Sequence, residues 1–178
     1  MNNREDSGTA NRLTILLLVI YFIVLFWILL FKLGVQFSYM GTRRFNLIPF
    51  NEFFEPTIRV DKGGLIANVV IFIPLGVYVG LLFKRWSFVA KLVLIFSVSF
   101  LFEAIQYVFR IGAFDSTDIA TNTFGGMIGL LCYSILMRVF SNGSRTERFI
   151  NVIGAMGTVT MLVLLVLLKM NMLPIRYQ

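Results

Sequence analysis

Six side chains capable of chemistry fall on two helical stripes within an otherwise apolar stretch. Glu103, Gln106 and Arg110 are spaced three and four apart, which places them on one face of a helix. Asp115, Asp118 and Asn122 repeat that spacing a few residues later. A third stripe, Asn68 with Phe72 and Gly76, runs at intervals of four. A charged side chain within a membrane span costs about 2.5–3.5 kcal/mol on insertion scales, so each should face the protein interior and have a partner. Glu is a costly choice for holding helices together, since Ser, Thr or Asn would do so with less desolvation. Two carboxylates in one pocket are the minimal apparatus for acid/base or glycosidic chemistry, with Glu103 and Asp118 as the candidates. Plainer roles stand beside these. Asp118 can cap the fourth helix through exposed backbone N–H groups. Asn68 taken alone reads as an interhelical hydrogen bond worth about 1 kcal/mol.

Other chemistries find no support. The chain has no histidine and one cysteine, Cys132, which sits in an apolar run. That excludes an intrachain disulfide and a zinc site. Three carboxylates could hold a hard cation, but their spacing matches no known loop. There is no glycine-rich phosphate loop and no serine elbow, so no metal and no cofactor is expected. The formal charge is +7. The basic residues lie between apolar runs, as in loops facing anionic headgroups, and form no basic stripe for nucleic acid.

The elements that must position these residues are membrane helices. Hydrophobic residues make up 58% of the 178 and charged residues 14%, where a soluble domain would carry roughly a quarter charged. The expected fold class is all-α, a polytopic transmembrane helix bundle of about five helices. Residues 1–12 read as a cytoplasmic polar tail, disordered through Asn11, and 13–178 as one membrane domain. The spans fall at about 13–33, 65–83, 88–109, 119–137 and 149–168. Arg138 to Arg148 reads as a polar loop and Arg110 to Asp118 as a tight turn. The segment Gly34–Gly64 mixes Gly, Pro and Arg with aromatics, and fits a re-entrant or interfacial loop between the first and second helices. Lys84, Arg85, Arg138, Arg145 and Arg148 share one side, so the positive-inside rule puts the N-terminus in the cytoplasm. Gly76 with Gly80, and Gly125 with Gly129, are Gly-x-x-x-Gly pairs that permit close approach of the second and fourth helices. That contact would bring Asn68 and Asn122 toward the interior occupied by Glu103.

The motifs Asn46-Leu-Ile-Pro-Phe50, Asn68-x-x-Ile-Phe-Ile-Pro-Leu-Gly76, Glu103-x-x-Gln106 and Phe114-Asp-x-x-Asp118-x-x-x-Asn122-Thr-x-Gly-Gly126-x-x-Gly129 occur in that order. Together they resemble the VanZ-like family over about half the chain. The resemblance makes Asn46, Pro49, Phe50, Asn68, Pro74, Gly76, Glu103, Gln106, Asp115, Asp118, Asn122 and Gly126 family-typical positions. It implies a bacterial cell-membrane protein. The family's founding member is associated with resistance to the lipoglycopeptide teicoplanin. Two functions are then expected. In the first, an outward-facing groove lined by Asn46, Phe50, Asn68, Glu103, Gln106, Arg110, Asp115, Asp118 and Asn122 binds an amphipathic envelope molecule. A lipoglycopeptide or a lipid-linked cell-wall precursor would suit it, with Arg43 and Arg44 meeting an anionic headgroup. The alternative is a membrane-embedded enzyme acting on a lipid-linked or glycosidic substrate, with Glu103 and Asp118 as acid/base pair. A transporter has little support, because five helices show no repeat.

Overall fold

The computed structural model describes residues 3–31, 45–54, 62–110, 112–141 and 143–169. The chain is all-α, with five α-helices among the described residues: α1 Asn3–Phe31, α2 Lys62–Leu82, α3 Phe88–Phe109, α4 Ser116–Phe140 and α5 Gly143–Lys169. Among the described residues, four segments are long and apolar enough to cross a membrane: Arg12–Leu29, Lys62–Leu82, Phe88–Phe109 and Ser116–Phe140. In α5 the exposed side chains Val152, Ile153, Met156, Val159 and Val163 are apolar as well.

The burial pattern is that of a protein solvated by lipid. Val93, Phe96, Phe100, Leu101 and Val108 on α3 point outward, as do Phe124, Leu131, Ile135 and Val139 on α4. Among the most deeply buried side chains, by contrast, are Glu103, Gln106, Asn122 and Ser99. Lipid tails cannot satisfy polar groups, so these turn inward to find partners.

The chain divides into two compact units, Leu25–Leu136 and Met1–Val24 with Met137–Gln178. In the first, α2 and α4 run parallel and α3 runs against both. The α2–α4 contact is made backbone to backbone. A Cβ on Gly76 would strike the carbonyl oxygen of Gly126, one on Gly125 that of Val69, and one on Gly129 that of Ile73. These are the two glycine stripes expected from the sequence, and they do meet. Gly126 also accommodates Ile95 of α3, and Gly80 the ring of Tyr133. Helix α2 continues through Pro74. Proline lacks the N–H that would bond the carbonyl four residues back, and membrane helices tolerate this where neighbours can compensate.

Local signals set the ends of α3. The Ser87 hydroxyl accepts the Ala90 N–H at 3.2 Å, capping the N-terminus. Arg110 adopts φ 57° and its N–H bonds the carbonyls of Gln106 and Tyr107, closing the C-terminus in the left-handed conformation.

In the second unit, α5 packs on the first half of α1 through polar contacts. The Thr14 hydroxyl faces Glu147 Oε1 at 3.1 Å and Asn151 Oδ1 at 3.0 Å. Thr14, Thr146 and Asn151 are buried.

Three expectations change. Residues 3–11 are helical, not a disordered tail. Once the apolar span nucleates a helix, extending it costs little per residue. Most of the expected polar loop from Arg138 to Arg148 is helical, because α4 runs to Phe140 and α5 begins at Gly143. Arg138 lies in the last turn of α4, where a cation favours the helix end, and Ser141 turns the chain at φ 48°. The turn after α3 is also shorter, with α4 beginning at Ser116.

Candidate functional site

Between α1 and α2, residues 45–54 form a strap against the helices. Phe45–Asn46 (β1) pairs in parallel with Phe114–Asp115 (β2), Phe45 opposite Phe114 and Asn46 opposite Asp115. Two residues per strand are too few to hold alone. The rings contribute the rest: Phe45 stacks on Phe114 at 4.9 Å, and Phe114 meets Phe100 edge-on at 5.7 Å. Beyond β1, the Phe50 N–H donates to the Thr117 hydroxyl at 3.0 Å. Phe50 itself sits at φ 59°, a left-handed conformation disfavoured for a bulky residue. A short 3-10 turn, Asn51–Phe53, follows. Leu47, Ile48, Phe53 and Phe54 along the strap are exposed.

Beneath the strap, the polar residues of three helices are knitted together. The Glu103 carboxylate, 1% exposed, accepts the Asp115 backbone N–H at 3.0 Å. Asp115 in turn accepts the Thr117 N–H at 2.8 Å and the Asn46 side-chain amide at 3.2 Å. Asp115 is therefore the cap of α4, the role that the spacing had suggested for Asp118. Asp118 instead accepts the Asn68 side-chain amide at 2.7 Å, across α4 and α2. One turn further in, Asn122 donates to the Ser99 hydroxyl at 3.0 Å, across α4 and α3. Gln106 donates to the Leu29 carbonyl at 3.0 Å, satisfying one of the open carbonyls at the end of α1.

Glu103, Asn122 and Asn68 each lie six residues from the nearer end of their helix, about 9 Å deep at 1.5 Å per residue. The cluster thus extends from the strap end of the core to a depth of roughly 10 Å. Asn46, Asn68, Glu103, Asp115, Asp118 and Asn122 are brought into it, and Phe50 lies on the strap above. Gln106 flanks it toward α1. Arg110 stands apart: the helix ends at Phe109, so the expected stripe is broken and its side chain is exposed. Arg43 and Arg44 lie outside the described residues. Sequence reading missed Thr117 and Ser99. Ser99 was findable, being four residues before Glu103 on the same face. Thr117 was not, because its partner is a backbone N–H in a distant loop.

Among the described residues, no group of three or more His, Cys, Asp or Glu side chains is arranged to hold a metal ion.

A polytopic membrane protein with a buried carboxylate–amide layer under an apolar strap is the class that this fold and site define. The VanZ/LLP1 family model matches residues 18–138. Protein VanZ of Enterococcus faecium is 37% identical over 159 residues, covering 87% of this chain and 94% of that protein. The chain belongs to the VanZ/LLP1 family. No solved structure matches it.

Proposed function

We propose that the polar layer and its strap bind an amphipathic envelope molecule, and that this contributes to lipoglycopeptide resistance or to modification of the cell envelope. The observation that carries the reading is the stacking of two surfaces at one end of the core. Hydrogen-bonded polar side chains of α2, α3 and α4, with Glu103 and Asn122 fully buried, lie below an exposed apolar strap made of Leu47, Ile48, Phe53 and Phe54. A molecule with a polar head and an acyl or aryl tail matches that sequence of environments. Teicoplanin-type drugs and lipid-linked cell-wall precursors have that form. The basic loops on the opposite side support a cytoplasmic N-terminus, which would turn the strap end outward. Membrane lipid is the other partner of such a site.

The experiment is a susceptibility assay with teicoplanin at matched membrane levels. Glu103→Gln keeps shape and hydrogen bonding but removes proton transfer. A binding layer retains most of its effect in Glu103→Gln, whereas acid/base chemistry at Glu103 would lose nearly all of it. Wild-type behaviour of both Glu103→Gln and Asp118→Asn would sink the site under either mechanism.

A further inference from the structure

Helix α3 carries the lipid surface and the edge of the polar layer side by side. At about 100° per residue, Glu103 lies about 60° around the helix from Phe100 and about 40° from Tyr107, with Ser99 about 40° away on the other side. Phe96 and Phe100 are exposed, their rings stacked at 6.4 Å, whereas Ser99 and Glu103 are buried. Glu103 therefore stands at the border where α3 turns from lipid to interior. Four rings close that border. Phe100 meets Phe114 edge-on at 5.7 Å, Phe114 stacks on Phe45 at 4.9 Å, and Phe45 meets Tyr107 edge-on at 5.6 Å. Phe100 and Tyr107 are two turns apart on α3 with Glu103 between them, and the Glu103 carboxylate holds the N–H of Asp115, next to Phe114. Alternation along a strand accounts for the arrangement. Phe45 and Phe114 turn to one face of the two-residue ribbon, and Asn46 and Asp115, joined by their side chains, turn to the other.

Phe45 has the weakest support of the four rings. Phe100 and Tyr107 belong to α3, and Phe114 is buried where the chain enters α4. Phe45 is 55% exposed and sits on a strand of two residues, in a strap that passes through the left-handed Phe50. Short pairings and strained turns open at lower cost than the helices beside them. Apolar surface also continues without a step from α3 across the strap, where Leu47, Ile48, Phe53 and Phe54 are exposed.

From this arrangement we infer that the polar layer is entered sideways from the bilayer, between the strap and α3, with Phe45 as the panel that moves. The inference rests on the proposed binding function and names its occupant: an amphiphile already dissolved in the membrane. Its head passes Phe45 to reach Glu103 and Asp115, while its tail stays in lipid along Phe96 and Phe100. A route through water would expose the tail, and every methylene kept in lipid avoids that cost.

The test measures how Glu103 is reached. The full chain in phosphatidylcholine vesicles is treated with dicyclohexylcarbodiimide, which dissolves in lipid, or with a charged, water-soluble carbodiimide present on both sides of the membrane. The O–H of a carboxylic acid adds across one C=N bond of either reagent, with no leaving group, and the adduct rearranges to a stable N-acylurea. The acid form is needed, so every variant is treated at the same mildly acidic pH, and peptide mass spectrometry locates the label. The lipid-soluble reagent should label Glu103 and the water-soluble one should not. Phe45→Ala should speed the lipid-soluble labelling several-fold, and the lipid-facing control Ile135→Ala should leave it unchanged. Should Phe45→Ala fail to fold, Phe45→Trp enlarges the panel and should slow the labelling. If the water-soluble reagent labels Glu103 as fast or faster, the layer opens to water and the inference fails. If neither reagent labels Glu103 in the wild type or in Phe45→Ala, there is no lateral entry and it fails again. If labelling ignores both Phe45 substitutions, the rings only pack the strap and Phe45 is no panel. The labelling reads access and not binding. A binding function lost in the susceptibility assay would therefore leave this result standing, and a failed portal would leave binding to be judged there.

Discussion

At the scale of residues, two neighbouring aspartates divide the work that their spacing made look shared. Asp115 caps α4 and holds Asn46, while Asp118 reaches across to Asn68. Replacing Asp115 by alanine should cost about 1 kcal/mol for the cap, with a further loss from the strap. Hydrogen exchange at the Thr117 amide should speed up in Asp115→Ala and stay protected in Asp118→Ala. Equal protection in both would mean that Asp115 is not the cap. The Asn68–Asp118 bond is a separate matter. Polar pairs between membrane helices couple by about 1 kcal/mol, with carboxylate pairs toward the upper end. A double-mutant cycle with Asn68→Ala and Asp118→Ala, read by denaturant unfolding in detergent, should return a coupling of about that size. A coupling near zero would dissolve the pair. The sequence marked both aspartates as belonging to the interior, because carboxylates in apolar runs have few other places to go. It could not say which one bonds which amide. That depends on where α4 begins, and the beginning is fixed by a strand of two residues that carries no periodicity.

At the scale of elements, the contact of α2 with α4 is the most legible feature of the core. Glycines four apart on two helices predict close approach, and here Gly76, Gly125 and Gly129 each meet backbone from the other helix. Gly76→Ala would place a methyl group against the Gly126 carbonyl, which cannot swing aside as a side chain would. Such overpacking should cost about 1–3 kcal/mol and be visible as a lower unfolding midpoint. Gly157 gives the contrast. A Cβ there meets nothing within 4 Å, so Gly157→Ala should be neutral or stabilise by roughly 0.5–1 kcal/mol through helix propensity. If both substitutions are equally harmful, close packing at Gly76 is not what the glycine provides. The strap was less legible. Its aromatics and Pro49 announced a segment too apolar for a free linker, but not its pairing with Phe114–Asp115 nor the left-handed Phe50. A parallel pairing between residues 69 positions apart leaves no trace in local sequence.

At the scale of the whole molecule, the family and the fold divide the chain at nearly the same places. The family model matches residues 18–138, and one compact unit spans Leu25–Leu136. The carboxylate–amide layer and the strap lie within it. The other unit carries its own polar contact, in which a single Thr14 proton faces two acceptors, Glu147 Oε1 and Asn151 Oδ1. Both partners lie near the start of α5, so the bond fastens the first and last helices of the chain to each other. Nothing in the sequence marked Thr14 for this, since a threonine near the end of a span reads as ordinary. The division predicts that the two polar clusters are separable. Thr14→Val keeps the shape of the side chain but removes its donor, and should weaken the hold of α1 on α5 by about 1 kcal/mol. Amides around Thr146 to Asn151 should then exchange faster, while those of Asp115 and Thr117 keep their rates. In the teicoplanin assay, at equal membrane levels, Thr14→Val should match wild type where Asp115→Ala does not. If Thr14→Val loses the phenotype as fully as substitutions in the polar layer, function depends on α5 as well. The site would then have to be sought across the whole chain instead of in the three-helix core.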